Sequence, residues 1–279
     1  MDRRMFLSAA LAASALSLSA CASPEPGAER VPTGSAPKPT TPPPAPPTAA
    51  PPVAEDPEIT EPPVREVTPQ FDAPHGPLNS LPLEVGNQFA WTVDDGASPD
   101  VVMAYAQFAQ RTGHRITFFV NGMYADSWVA AAPALAPMIA SGQVQIASHT
   151  YSHPSLTSIG DAQIQDDLMA NHAFIEQTFG VDARPWYRPP YGNRDARTDA
   201  AAAAVGYTTP VMWNGSIGDS GLIPPAVLLQ EAERWIQPAS IILGHANAQT
   251  VVDLFDHLID MINRKGLESV TLNDVFRTA

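Results

Sequence analysis

Two adjacent aspartates follow a short apolar segment, and together they could support acid–base and metal chemistry at one place. The segment Gln88–Val93 has the composition of a strand, and Asp94 and Asp95 come directly after it, before Gly96. Neighbouring side chains at a strand end point in different directions, so one carboxylate can bind a cation while the other holds a proton. An ordinary Asp–Gly turn is the alternative interpretation.

A pair of histidines with the spacing of metal ligands follows another predicted strand. His149 and His153 are four residues apart and come after the apolar segment Val144–Ala147. If the stretch begins a helical turn, both imidazoles lie on one face, and such a pair suits a zinc ion. Two ordinary surface histidines are the alternative. Four other histidines lack this context and are interpreted as linker, surface or loop residues: His75, His114, His172 and His257.

Three further predicted strand ends carry polar groups. Arg188 precedes Pro189-Pro190-Tyr191, and an always-charged arginine there can orient a carboxylate. His245 ends an apolar run and is placed to donate a proton, although a lone histidine at such a position is more often a core residue with satisfied partners. The stretch between them, Trp213–Asp219, is the remaining candidate.

The order and spacing of these five motifs resemble the polysaccharide deacetylase family, carbohydrate esterase family four, which has the NodB-homology fold. The resemblance covers residues 86–279. It implies a distorted (β/α) barrel that hydrolyses acetyl groups with one divalent metal, usually zinc, although Co²⁺ or another divalent ion is an alternative. It also implies that Asp95, His149 and His153 are the metal ligands.

The same resemblance implies a role for each of the other motif residues. Asp94 would be the general base, and Arg188 would position it. The backbone amide of Tyr191 would stabilise an oxyanion, and His245 would be the general acid. The implied substrate is peptidoglycan or a chitin-like polymer. O-acetyl esterase action on xylan, and a catalytically silent wall-binding lipoprotein, remain alternatives.

The fourth motif departs from the family pattern. Family members often have Asp-x-x-Asp-Trp, whereas this chain has Ser-Ile-Gly-Asp-Ser at positions 216–220. Asp219 is the candidate for the retained carboxylate. The tryptophan that usually lines the sugar groove is absent, so Trp213 or Trp186 is a candidate to replace it.

Alternating strand and helix patterns predict the elements that hold these motifs. Strands are predicted at Gln88–Val93, Arg115–Val120, Val144–Ala147, Trp186–Arg188, Tyr207–Trp213, Ser240–Leu243 and Ser269–Leu272. Helices are predicted from Ser98 to about Thr112 and at Asp126–Ala140, Asp161–Phe179, Asp195–Val205, Pro225–Ile236 and Val251–Arg264. The alternation predicts an α/β fold, a distorted barrel of about seven parallel strands with functional groups at their carboxyl ends.

Residues 1–21 resemble a bacterial signal peptide that ends in a lipobox. A basic start is followed by a short apolar stretch and by Cys21, the only cysteine in the chain. This predicts export and a lipid anchor on Cys21, in a bacterial membrane and facing the periplasm or the exterior. A plain secretory signal is the alternative. Arg3 and Arg4 before Phe6 and Leu7 also resemble a twin-arginine export signal.

Residues 22–85 are predicted to form an extended, disordered linker before the domain at 86–279. They contain 19 of the 30 prolines, which lack a backbone donor and favour extended chain. The last part, Phe71–Val85, is the part expected to pack on the domain if any does. The net charge of −14 argues against a nucleic-acid partner, and we expect a monomer.

Overall fold

The computed structural model describes residues 68–278. The predictions for the signal peptide at 1–21, for the lipidated Cys21 and for linker residues up to 67 concern residues outside this range. Within residues 68–278, no helix combines the length and the apolar character that a bilayer crossing requires.

Most strands of the described residues belong to one curled, parallel sheet. The strands are β1 Phe71–Asp72, β2 Gln88–Asp95, β3 Ile116–Val120, β4 Val144–Ser148, β5 Trp186–Tyr187, β6 Thr209–Pro210, β7 Gly215–Ser216, β8 Ile241–His245, β9 Glu268–Val270 and β10 Phe276–Arg277. The order in the large sheet is β6-β5-β4-β3-β2-β8-β7, and β9 also pairs with β2. The predicted distorted (β/α) barrel of about seven parallel strands is confirmed.

Helices pack around this sheet, most of them on its outer face. They are α1 Pro99–Thr112, α2 Ala125–Ala140, α3 Asp161–Phe179, α4 Ala196–Ala203, α5 Pro225–Trp235, α6 Gln249–Val252, α7 Phe255–Arg264 and α8 Leu272–Val275. The Ser98 hydroxyl caps α1 by accepting the backbone amide of Val101. Helix α2 continues without a break through Pro133 and Pro137, which lie on its exposed side, where water can satisfy the carbonyls they leave unpaired.

The two faces of the strands have different partners. Trp91 and Val93 of β2 pack with the helices, whereas Ala90 lies in a second apolar cluster inside the barrel. Because residues two apart share a face, the inward column of β2 that begins at Ala90 ends at Asp94. The inward column of β8 likewise ends at His245. Alternation therefore brings a carboxylate and an imidazole to the carboxyl end of the barrel interior.

The segment Phe71–Val85 packs on the barrel. Strand β1 pairs with β10, and the side chains of Leu78 and Leu81 are buried in the inner cluster. The amide of Leu81 donates to the carbonyl of Ala239, just before β8 begins. This segment therefore closes the amino end of the barrel, opposite the motif residues.

Some predicted elements are shorter or are divided. The predicted strand Tyr207–Trp213 is reduced to β6, and beyond it Val211 forms only an isolated parallel bridge with Leu78. Strand β7 lies within the fourth motif and was not predicted. The predicted helix Val251–Arg264 is divided into α6 and α7. His172 is buried in α3, so its interpretation as a surface or loop residue is wrong.

Candidate metal and catalytic site

The three predicted metal ligands meet at the carboxyl end of the barrel. One possible ligand atom from each of Asp95, His149 and His153 lies within 4.8 Å of the others. The Nε2 atoms of His149 and His153 are 3.2 Å apart. Asp95 Oδ1 lies 3.5 Å from His149 Nε2 and 3.3 Å from His153 Nε2. Two imidazole nitrogens and one carboxylate oxygen match a zinc ligand set with open positions, so these residues fit a divalent metal.

Left-handed backbone conformations build this cluster. The stretch from His149 to His153 is not the helical turn that would have placed both rings on one face. Of the five non-glycine residues with positive φ among those described, four lie here: Asp95 (73°), Thr150 (65°), His153 (56°) and Tyr191 (61°). Such conformations cost about 1–3 kcal/mol each and persist where the surroundings enforce them. This concentration is typical of a functional site.

Each histidine of the cluster has a partner on its other ring nitrogen. His149 Nδ1 lies 2.7 Å from the carbonyl oxygen of Arg188, and His153 Nδ1 lies 3.2 Å from the hydroxyl of Tyr191. Partners of this kind fix the ring orientation and leave Nε2 free for an ion. The sequence predicted only a backbone role for Tyr191. The structure adds a side-chain contact, and it leaves the Tyr191 ring exposed at the mouth.

Arg188 holds one oxygen of Asp94. The Arg188 side chain is fully buried, and its Nη1 donates to Asp94 Oδ1 at 2.6 Å and to Thr92 Oγ1 at 2.9 Å. Burial lowers the pKa of the guanidinium, and the charge of Asp94 opposes this shift. The second oxygen, Asp94 Oδ2, lies 3.7 Å from His149 Nε2. Asp94 therefore has one anchored oxygen and one that faces the cluster.

Asp219 holds His245 from the far side. Asp94 and His245 are register partners on β2 and β8, so they lie side by side. The fully buried Asp219 has Oδ1 at 3.1 Å from His245 Nδ1, and its Oδ2 accepts the backbone amide of His245 at 3.1 Å. Burial lowers the pKa of His245, but the hydrogen bond to Asp219 and the charges of Asp94, Asp219 and Asp95 raise it by more. The contact with Asp219 therefore favours the protonated form of His245.

The two tryptophans proposed to replace the missing one lie in different places. Trp186 is buried inside the barrel, and its Nε1 donates to Asn273 Oδ1 at 2.8 Å. Trp186 cannot line a sugar groove, so the prediction that it replaces the missing tryptophan is wrong. Trp213 is half-buried at the mouth, with its ring 5.7 Å from the Arg188 guanidinium and against Gly192.

Three polar contacts of Asp95 were not predicted from the sequence. Asn121 donates to Asp95 Oδ1 at 3.3 Å, Asn247 donates to Oδ2 at 2.8 Å, and the Trp128 indole donates to the backbone carbonyl at 2.7 Å. A Cβ at Gly96 would lie 2.5 Å from Trp128 Nε1, so glycine is needed there. Both asparagines follow predicted strands closely, which is a usable signal. Trp128 lies within a helix and gives none.

These donors and the neighbouring histidines set the charge state of Asp95. Burial raises the pKa of its carboxyl, but His149, the amide of Asn247 and His153 together lower it by more. The pKa of His153 is lowered by burial and by His149. A carboxylate beside a neutral imidazole is the form in which both groups bind a metal ion.

Comparison with known proteins identifies a family match in the first part of the described region. Residues 85–210 match the polysaccharide deacetylase family, a range that includes the first three motifs and ends before Asp219 and His245. Chitin deacetylase 1 of Cryptococcus neoformans is 35% identical over 127 residues. That alignment covers 46% of this chain and 26% of the relative, so this chain spans about a quarter of the relative's length.

Two solved structures share the fold. The Bc1960 peptidoglycan N-acetylglucosamine deacetylase has a TM-score of 0.65 at 23% identity, covering 74% of this chain and 94% of that one. A carbohydrate esterase family four pseudoenzyme from Bacillus anthracis has a TM-score of 0.63 at 19% identity, covering 72% and 69%. Residues 85–210 therefore match the polysaccharide deacetylase family, and the curled parallel barrel has the fold of these two solved structures.

Proposed function

We propose that this protein removes N-acetyl groups from an amino-sugar polymer, peptidoglycan or a chitin-like chain, by metal-dependent hydrolysis. The observation that carries the proposal is the cluster of Asp95, His149 and His153, with Asp94 and His245 beside it. The names of similar proteins, a chitin deacetylase and a peptidoglycan deacetylase, support this substrate class.

The residues of the chain divide the chemistry among themselves. A bound divalent ion, most simply Zn²⁺, would polarise the acetyl carbonyl and lower the pKa of a water molecule. Asp94, with one oxygen held by Arg188, accepts the proton as water attacks the carbonyl carbon. The backbone amide of Tyr191 donates to the developing oxyanion.

The second half of the reaction belongs to His245. When the C–N bond breaks, protonated His245 gives its proton to the leaving amine, so that acetate and a free amino sugar are released. The contact with Asp219 holds the ring in place and favours the protonated form. Because one group must be deprotonated and another protonated, we expect a bell-shaped dependence of turnover on pH.

The test is acetate release from three polymers: peptidoglycan, chitooligosaccharides and acetylxylan. Each is measured with added zinc, with a chelator and after reconstitution with zinc or cobalt. We expect release from an N-acetylated polymer that the chelator abolishes and metal restores. Release that is indifferent to the chelator, in protein shown to have lost its metal, would contradict the proposal.

Two alternatives give different results in the same test. An O-acetyl esterase would release acetate from acetylxylan and not from the amino-sugar polymers, using the same residues. A silent wall-binding protein would bind a polymer and release acetate from none. The observation that favours it is the fourth motif, where the exposed Ser220 stands at the usual position of tryptophan.

We further propose that the protein is exported and anchored through a lipidated Cys21, with the domain acting as a monomer on the envelope polymer. The lipobox-like sequence and the proline-rich stretch after it support this. Cys21→Ser should release the protein from the membrane fraction and abolish incorporation of a labelled fatty acid. Unchanged membrane association of that variant would contradict the anchor.

A further inference from the structure

A side chain without a role in the proposed reaction joins three loops of the site. Asn247 is half-buried, two residues after His245. Its Nδ2 donates to Asp95 Oδ2 at 2.8 Å and to the carbonyl oxygen of Ser220 at 3.3 Å. Its Oδ1 accepts the backbone amide of Ala97 at 3.1 Å. One amide group therefore connects the loops that follow β2, β7 and β8.

The two carboxylate oxygens of Asp95 have different partners, because Asn247 holds one of them. Asp95 Oδ1 lies 3.5 Å and 3.3 Å from the Nε2 atoms of His149 and His153, whereas Oδ2 is held by Asn247. The contact of Asn121 with Oδ1 is longer, at 3.3 Å, and therefore weaker. Asp95 is oriented so that a single oxygen faces the histidines.

We infer that Asn247 is a positioning residue that makes Asp95 a one-oxygen ligand and sets the affinity of the site for its metal. The inference rests on the proposed metal-dependent function. Hydrogen-bond partners behind a metal ligand restrict its orientation, and their loss commonly weakens metal binding by about 10–100-fold.

The same contact explains how the altered fourth motif stays connected to the metal site. Asn247 reaches Ser220 through the backbone carbonyl, which any residue at that position supplies. The loss of the family's tryptophan therefore removes a side chain from the groove but leaves this support of Asp95 in place.

The experiment measures the dissociation constant for Zn²⁺ by competition with a chelator, using the full chain. Two variants remove the amide: Asn247→Ala, which also shortens the side chain, and Asn247→Leu, which keeps a similar volume. We expect both to bind zinc about 10-fold more weakly than the unchanged protein. Thermal unfolding without metal shows whether each variant is folded.

Asn87→Ala is the matched control at the other end of β2. The amide of Asn87 donates to the carbonyl of Gly266 at 2.7 Å, so this change also removes a long-range hydrogen bond. We expect its zinc affinity to equal that of the unchanged protein. If it weakens zinc binding as much as the Asn247 variants, the effect is general destabilisation and the inference is overturned.

The remaining outcomes separate the inference from the proposed function. If the unchanged protein binds zinc and a folded Asn247 variant binds it equally well, the inference is overturned and the proposed function stands. If the unchanged protein binds no divalent ion, both are overturned. Unfolding of Asn247→Ala leaves the decision to Asn247→Leu, and unfolding of both without metal would identify a structural role and overturn the inference.

Discussion

The two ends of the barrel each contain an arginine–aspartate pair, and the pairs differ in one respect. At the amino end, Arg115 donates to both oxygens of Asp274, at 2.5 Å and 2.6 Å. At the carboxyl end, Arg188 donates to one oxygen of Asp94 only. The first pair uses the whole carboxylate in a fork geometry. The second leaves one oxygen facing the cluster of Asp95, His149 and His153, so the same residue types leave a carboxylate oxygen for the proposed chemistry at only one of the two ends.

The backbone differs between the two ends in a corresponding way. The amino end is closed by the pairing of β1 with β10 and by buried apolar side chains from Leu78 to Phe276. Of the non-glycine residues with positive φ in the described range, most lie at the carboxyl end. Regular pairing at one end provides stability that offsets the strained turns at the other, which is the usual division in barrels of this kind.

The largest effect on acetate release is expected for His149→Ala. This change removes a predicted ligand whose other ring nitrogen is also held by the carbonyl of Arg188. Zinc content and acetate release should be lost together. The matched control is His257→Ala, which removes an exposed histidine on α7 and should change neither. Full activity of a His149→Ala variant with normal zinc would contradict the ligand assignment.

The next largest effect is expected for Asp94→Asn, which tests the role of Asp94 as the base that accepts the proton. The amide keeps the shape of the carboxylate but cannot accept the proton, so turnover should fall by about 10²–10⁴-fold. Zinc should remain bound, because Asp94 is not one of the three predicted ligands. The two measurements are kcat for acetate release and metal content of the same sample. Loss of zinc in parallel with activity would place Asp94 among the ligands.

A smaller effect is expected for Asp219→Asn, and it appears in the pH profile. Asp219 raises the pKa of His245, which keeps the general acid protonated to higher pH. Without the carboxylate, both contributions of Asp219 that raise the pKa of His245 are lost, so this pKa falls and activity is lost at a lower pH on the basic side. A bound cation acts on His245 in both proteins, so the difference between their profiles reports Asp219. An unchanged basic limb of kcat against pH would exclude this role.

The smallest effect on acetate release is expected for Asp274→Asn, at the other end of the barrel. Removing one partner of a buried pair leaves Arg115 uncompensated and should lower the free energy of unfolding by about 3–5 kcal/mol. Turnover per folded molecule should stay near that of the unchanged protein. Urea denaturation and acetate release measure the two quantities. A loss of turnover in folded protein would contradict the claim that the Arg115–Asp274 pair stabilises the fold without contributing to the reaction.

Much of the candidate site could be predicted because its residues follow strands directly. Apolar segments with polar residues at their ends are local patterns, and parallel strands bring their carboxyl ends to one edge. The positions of Asp95 and His149 follow from this rule, whereas that of His153 depends on left-handed conformations at Thr150 and at His153 itself. The contacts of Asn247 and the hydroxyl of Tyr191 did not follow from it, because they depend on which loops meet.

The sequence by itself determined the alternation of strands and helices and the residues at the strand ends, because periodicity and turn chemistry act over short distances along the chain. Only the tertiary structure decided that β2 lies between β3 and β8, which sets Asp94 beside His245. It also decided that Trp186 turns inward and that Phe71–Val85 closes the amino end. Sheet order and register arise from contacts between distant segments, and no local pattern specifies them.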